Sequence, residues 1–232
     1  MKTSLKIIAV LAAIMMLYGL ASVGVNAVFN RTGWLYKEYD SELEIEKHTG
    51  ISAEDATRVL SRMMYYSTGR ADDLDITIEE DGEEVQFFNE RELSHMKDVR
   101  RLTKTLLWAG IICLGLAIGI VCTLRAFIKK AELSVFAKAY LIALCVAAAI
   151  IIALAVWVII DFDSFWTTFH VVFLDLESST FDPAESRMIR ICPAELFADF
   201  TGRLGSYVAI LAGGFGLICG ACLAIGKKKK AE

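Results

Sequence analysis

Apolar positions fall into four long runs, residues 7–28, 106–124, 139–160 and 204–225, each short of charge and flanked by it. Each run is close to the ~20 residues that a helix needs to cross a bilayer, so the pattern predicts four transmembrane helices. Between the first two runs the periodicity changes. Ile51, Ala56, Val59, Leu60, Met63 and Met64 recur at helical spacing, with Ser52 and Asp55 as a capping box and Gly69 as a stop. Leu74, Ile76 and Ile78 then alternate with polar residues, Asp81-Gly82 marks a hairpin turn, and Val85, Phe87 and Phe88 follow. A head this small buries too little apolar surface to be secure alone, so it is expected to lean on the membrane or on the other outer loop.

From Asn89 to Leu124 the chain has no Pro, and no Gly before Gly110, and Asn89 with Glu92 three residues on gives a capping-box start. One long helix is predicted, its first part wet and its second part in the bilayer. The third apolar run has no clear end either: Phe162, Phe165, Phe169 and Phe173 continue at spacings of three and four, with Trp157 and Trp166 suited to an interface. That helix is expected either to run on to about Leu176 or to bend and lie on the surface. Asp182-Pro183, Cys192-Pro193 and Thr201-Gly202 break up the rest of the outer loop, and Pro193 can open a short helix with Leu196, Phe197 and Phe200 on one face, resting on the outer leaflet. Gly115-x-x-x-Gly119 and Gly216-x-x-x-Gly220 offer close helix contacts.

Composition supports a membrane protein: 232 residues, 56% of them hydrophobic, with a mean hydropathy of +0.50. Four spans put both termini on one side. Lys2, Lys6, Arg125, Lys129, Lys130, Lys138 and Lys227 to Lys230 flank the spans on that side, which marks it as cytoplasmic. The fold class expected is thus a mainly α membrane protein: a four-transmembrane-helix bundle with a small extracytoplasmic α+β head, a helix plus a β-hairpin. The division expected is a first transmembrane helix at 1–28, an extracytoplasmic head at 29–101, a second span at 102–125 and a cytoplasmic loop at 126–138. A third span at 139–160, an extracytoplasmic loop at 161–203, a fourth span at 204–226 and a cytoplasmic basic tail at 227–232 complete it. The lysine tail reads as a topology anchor or anionic-lipid contact, not a nucleic-acid site. Val25-Asn26-Ala27 keeps a cleaved signal peptide open as an alternative for the first run, although that run exceeds the usual ~7–15 residue apolar region. Five of the six cysteines, Cys113, Cys122, Cys145, Cys219 and Cys222, fall inside apolar runs, so Cys219-x-x-Cys222 reads as bilayer packing. Cys192 alone lies outside, with no obvious partner.

The candidate chemistry is in the histidines, all three of which this topology places outside. His48, in an acidic stretch, reads as solvated. His95 lies 30 residues before Arg125 and His170 lies 32 after Lys138, about 45 and 48 Å of helix if both helices are continuous, so two imidazoles reach the same height on neighbouring helices. An imidazole can accept and return a proton near neutral pH, and Asp98, one turn from His95, can orient it or hold its charge. Arg100, Arg101 and Lys104 either snorkel or bind a phosphate or a developing oxyanion, and are candidate substrate-binding residues. A cavity reaching both imidazoles is expected.

At these residues the chain resembles a known family. Glu92-Leu93-Ser94-His95-Met96-Lys97-Asp98-Val99-Arg100, with Phe169-His170-Val171-Val172-Phe173, resembles the lipoprotein intramolecular transacylase family of bacterial membrane proteins. Tyr36-Lys37-Glu38-Tyr39, Thr49-Gly50-Ile51-Ser52, Asp182-Pro183 and Cys192-Pro193-Ala194-Glu195 are supporting matches, while Leu174, Leu176, Glu177 and Ser179 depart from the pattern. The resemblance implies an enzyme of the bacterial cell membrane that moves the sn-2 acyl chain of a diacylglyceryl-cysteine lipoprotein to the cysteine α-amine, giving a lyso-form lipoprotein. It also implies that the family's two functional histidines fall on His95 and His170.

That reaction suits the residues. Ester-to-amide transfer is downhill and both reacting groups belong to one substrate, so neither a metal nor a cofactor is required. Its partners would be diacylated bacterial lipoproteins and membrane phospholipids, and no nucleic acid. His95 is read as the base, assisted by Asp98, and His170 as the acid, with the roles open to exchange. Two rivals stay open: an outer-leaflet lipid esterase that uses water, and a non-catalytic four-span membrane adaptor whose acidic head binds an extracellular partner.

Overall fold

The computed structural model describes residues 3–80, 82–127, 130–174 and 181–228. Helix α1 (Thr3–Phe29) is followed by α2 (Leu35–Lys37), a π turn (Glu38–Glu42), α3 (Ile45–Thr49) and α4 (Ala53–Thr68). An antiparallel hairpin, β1 (Thr77–Glu80) and β2 (Glu83–Gln86), leads to α5 (Glu90–Phe127) and α6 (Lys130–Ile160). Then come α7 (Phe162–Phe173), α8 (Arg187–Arg190), α9 (Ala194–Val208), a second π turn (Ala209–Gly213) and α10 (Gly214–Lys228). Four helical stretches are long and apolar enough to cross a membrane, Thr3–Phe29, Glu90–Ala126, Leu133–Ile160 and Ala194–Gly226. The chain is a multi-pass, mainly helical membrane protein, with one two-stranded sheet among the described residues.

Two compact units make up the chain. The first is drawn from Met1–Val25, Leu106–Ile160 and Gly205–Glu232. Its interior is built from small residues and a few aromatics: Ala9, Ala12, Ala13, Ala117, Ala137, Phe136 and Tyr140 are buried together. Ile142, Ile152, Ile159, Leu217 and Ile218 are exposed instead, as side chains that face lipid must be. Close packing centres on Gly19 and Gly110. A Cβ at Gly19 would meet Cβ of Leu114 at 2.5 Å, and one at Gly110 would meet Oγ of Ser22 at 1.9 Å. Of the paired glycines expected to make such contacts, Gly216 meets Leu144 while Gly115, Gly119 and Gly220 meet nothing within 4 Å. Spacing marks glycines that can share a helix face, but only the partner's surface decides which of them is approached. At the second π turn the Tyr140 hydroxyl donates to the Ala212 carbonyl at 2.8 Å, which compensates for the disturbed helical ladder.

The second unit is drawn from Asn26–Thr105 and Asp161–Leu204. Ser52 Oγ accepts from the Asp55 N–H at 3.0 Å to start α4, and Gly69, at φ 83°, ends it. Leu74, Ile76 and Ile78 are buried as their alternation predicts, and Gly82 has the positive φ, 83°, of a hairpin turn; its neighbour Asp81 lies outside the described residues. The head does not stand alone, for Met188, Ile191 and Leu196 join its core. Glu80 of β1 pairs with both Arg187 and Arg190 of α8, and the Tyr39 hydroxyl donates to the Ile191 carbonyl at 2.8 Å. Of the two courses allowed after the third apolar run, the break is the one found, whereas the helix after Pro193 is longer than expected. The third apolar helix ends at Ile160 instead of running straight on: Asp161 leaves helical geometry and its carboxylate accepts from the Ser164 N–H at 3.0 Å, capping a new helix that ends at Phe173. Leu176, the expected end of a continuous helix, lies outside the described residues. The helix opened after Pro193 does not stop at Thr201-Gly202, because glycine inside a helix costs only about 1 kcal/mol and ends it only where a left-handed turn is adopted.

Candidate functional site

The site begins at the cap of α5. Asn89 Oδ1 accepts from the Glu92 N–H and Glu92 Oε2 accepts from the Asn89 N–H, both at 2.9 Å, so the capping box is reciprocal. Glu92 Oε1 reaches further, accepting from the Ser186 hydroxyl at 2.5 Å and the Met188 N–H at 3.2 Å. One buried carboxylate therefore starts the helix and also holds a distant loop against its first turn. His95 comes one turn later.

Four helices of the second unit turn apolar faces onto a cavity of about 350 Å³. Leu60, Met63, Met64 and Ser67 come from α4, and His95, Met96, Val99, Leu102 and Thr103 from α5. From α7 come Trp166, Phe169 and His170, and from α9 Leu196, Phe197 and Phe200. Each set is spaced three or four apart, as one face of a helix requires. Among the described residues no Lys, Arg, Asp or Glu lines the cavity. The volume lies within the usual range of ligand pockets, and the surface suits an acyl chain.

His95 and His170 are brought together in this wall, 7% and 4% exposed, with ring centroids 5.9 Å apart and planes 23° apart. His170 Nδ1 lies 2.8 Å from the Trp166 carbonyl. A carbonyl can only accept, so Nδ1 carries the hydrogen and the neutral ring keeps its lone pair on Nε2. His95 packs edge-on against Phe181 at 5.4 Å, and its buried Nδ1 has no hydrogen-bond partner among the described residues. Burial, then the neighbouring His170, lowers the pKa of His95 to about 4, with Asp98 opposing the shift. His95 precedes the charge-free stretch 106–124 of α5 and titrates outside it.

The other sequence candidates are placed elsewhere. Asp98 does not line the cavity and no hydrogen bond links it to His95. Arg100 donates to the Ala71 carbonyl at 2.8 Å and lies 4.4 Å over the Tyr66 ring, which is a structural task within the head. Arg101 is exposed, the Lys104 chain passes Gly69, and neither lines the cavity. His48 is exposed. Among the described residues no cluster of three His, Cys, Asp or Glu could hold a metal ion. Cys192 is a cavity residue that sequence reading missed; burial, then the Glu92 carboxylate, pushes its thiol up to about 12, so it is no ready nucleophile. The cross-chain role of Glu92 had no local signature, because its partners stand 94 and 96 residues away. The bond between His170 and the Trp166 carbonyl, four residues earlier, was likewise missed, Trp166 having been read only as an interface residue.

The two facing imidazoles, in a cavity with no Lys, Arg, Asp or Glu among its described lining residues, belong to a chain with four bilayer-length helices, a membrane-integral protein. The family model described as lipoprotein intramolecular transacylase Lit matches residues 10–197, and the chain belongs to that family. It is therefore an acyltransferase of the membrane with lipoproteins as its substrate class. Its fold is similar to that of the membrane-integral lipoprotein intramolecular transacylase Lit from Bacillus cereus, at 17% identity and a TM-score of 0.70, with 99% of each chain covered. Two variants of that protein, each with one histidine replaced, by Ala or by Arg, match at 17% identity with TM-scores of 0.67 and 0.62. The match covers 99% and 98% of this chain and 96% and 93% of theirs. Among curated proteins none matched.

Proposed function

We propose that this chain moves the sn-2 acyl chain of a diacylglyceryl-cysteine lipoprotein to the α-amine of the same cysteine, on the extracytoplasmic side of a bacterial membrane, with both termini cytoplasmic. The observation that carries this reading is the pair of buried imidazoles, 5.9 Å apart, in a wall whose described residues include no Lys, Arg, Asp or Glu. The reaction forms a C–N bond, breaks the ester C–O bond, and moves one proton from the attacking nitrogen to the departing glyceryl oxygen. Holding ester and amine on one substrate makes the attack intramolecular, so positioning supplies much of the acceleration. The imidazoles of His95 and His170 carry the proton.

His170, whose fixed tautomer leaves Nε2 as an acceptor, is the better first acceptor. His95, whose surroundings disfavour the imidazolium, is the better final donor to oxygen. This exchanges the roles suggested by sequence, and it gives Asp98 at most an electrostatic part. The test is mass spectrometry of lipoprotein N-termini after incubation with the purified protein. An N-acylated lyso-form supports transfer, whereas free fatty acid with no N-acylation would make the chain an esterase and overturn the reading. Replacing either histidine, His95→Ala or His170→Ala, is expected to cut the rate about 10²- to 10⁴-fold. Undiminished activity in both variants would remove the histidines from the mechanism.

A further inference from the structure

Beside the acyl-compatible cavity, within the same unit, lies a second depression of the opposite character. It is lined by Gly33, Trp34, Lys37, Glu38, Glu42, Asp199 and Arg203, and Trp34 is a wall of both. The π turn after α2 brings Glu38 and Glu42 to it, and α9 supplies Asp199 and Arg203. Such turns interrupt a regular helix and are frequent at functional sites.

Its charges do not balance. Lys37 pairs with Glu42 at 3.2 Å and Arg203 with Asp199 at 2.5 Å, while Arg203 also stacks 4.2 Å over the Trp34 ring. Both cations are thus committed. Glu38 remains, and among the described residues its carboxylate has neither an ion-pair nor a hydrogen-bond partner. Its pKa is raised by partial burial and then by the Asp199 carboxylate, with Arg203 and Lys37 opposing but not cancelling the rise.

A lipoprotein bears a polypeptide on the same cysteine that carries the lipid. A polypeptide laid along the cavity would need hydrogen-bond partners for its peptide groups, and the described lining residues are mostly apolar and include no Lys, Arg, Asp or Glu. The polar depression across Trp34 offers it a way out, with an aromatic–guanidinium platform and one spare anion. We propose that this groove receives the first residues of the polypeptide after the lipid-bearing cysteine, and that Glu38 selects a cationic side chain among them. The proposal rests on the reading of the chain as a lipoprotein transacylase.

The test separates recognition from chemistry. Diacylated lipopeptides with a blocked α-amine, which cannot accept an acyl group, are prepared with the same lipid and either two Lys or two Glu shortly after the cysteine. Their Kd values are measured against the full-length protein in detergent micelles. The natural protein is expected to bind the Lys form about 10-fold more tightly, Glu38→Gln to bring the ratio near one, and Glu38→Lys to invert it. Equal binding of both peptides by the natural protein, or a loss in the variants that is the same for both peptides, would overturn the proposal. Inversion cannot come from mere damage, and Glu38→Gln retains a near-isosteric side chain should Glu38→Lys fail to fold. Free-amine versions of the same peptides report separately on N-acylation, so failure of the transfer reaction is read independently of failure of this groove.

Discussion

At the scale of single residues, His95 links the site to pH. Its folded pKa of about 4 lies below the ordinary histidine value of 6.5, so between those limits the unfolded chain binds a proton that the folded chain refuses. Stability carried by this group is full above pH 6.5 and is lost as pH falls toward 4. Thermal unfolding in detergent at stepped pH should show Tm falling through that window, and His95→Gln should flatten the fall; an unchanged slope would argue against a buried neutral ring. Glu92 is the other residue whose loss has a definite cost. Glu92→Ala leaves the Asn89 N–H, the Ser186 hydroxyl and the Met188 N–H without their acceptor, and a charged acceptor is worth roughly 1.5–3 kcal/mol for a typical bond. A loss of at least about 2 kcal/mol is expected in denaturant unfolding, with faster amide exchange across 186–192 as its local mark.

Among the elements, α1 and α5 meet through their smallest residues. Gly19→Ala would drive a Cβ to 2.5 Å from Leu114 Cβ and 2.9 Å from its Cα, backbone that cannot swing aside. Overpacking of this kind costs about 1–3 kcal/mol, more than the roughly 1 kcal/mol that alanine returns in helix propensity. Tm should fall for Gly19→Ala and hold or rise for Gly115→Ala, which meets nothing within 4 Å; equal effects would mean that the α1–α5 contact is looser than described. Helix starts were legible because their caps are local: Ser52 with Asp55 and Asn89 with Glu92 both form the bonds that their spacing implies. Asp161 with Ser164 was equally local and equally readable, yet the run of aromatics across it gave no sign of a break. Helix ends were harder, since Gly69 stops α4 whereas Gly202 stops nothing, and only the backbone angle distinguishes them.

For the molecule as a whole, hydropathy revealed the four bilayer-length helices, and periodicity with cap and turn residues revealed a helix-plus-hairpin head, because each depends on residues close in sequence. The two histidines were found as a pair by counting residues along two helices, although His170 stands on α7, past the break at Asp161, and not on a continuation of α6. What the chain hid was convergence. Segment 181–200 closes the head through Met188, Ile191 and Leu196 and brings Cys192 to the cavity, and such contacts between segments far apart in sequence leave no period behind. The same closure bears on reaction fidelity. With the Ser67 hydroxyl already donating to the Met63 carbonyl at 2.8 Å, and hydrocarbon, sulfur and aromatic surface making up most of the remaining wall, few anchoring points are left for solvent. On the proposed reaction, an ester in such surroundings would meet the tethered nitrogen far more often than a water molecule, and dryness itself would favour aminolysis over wasteful hydrolysis.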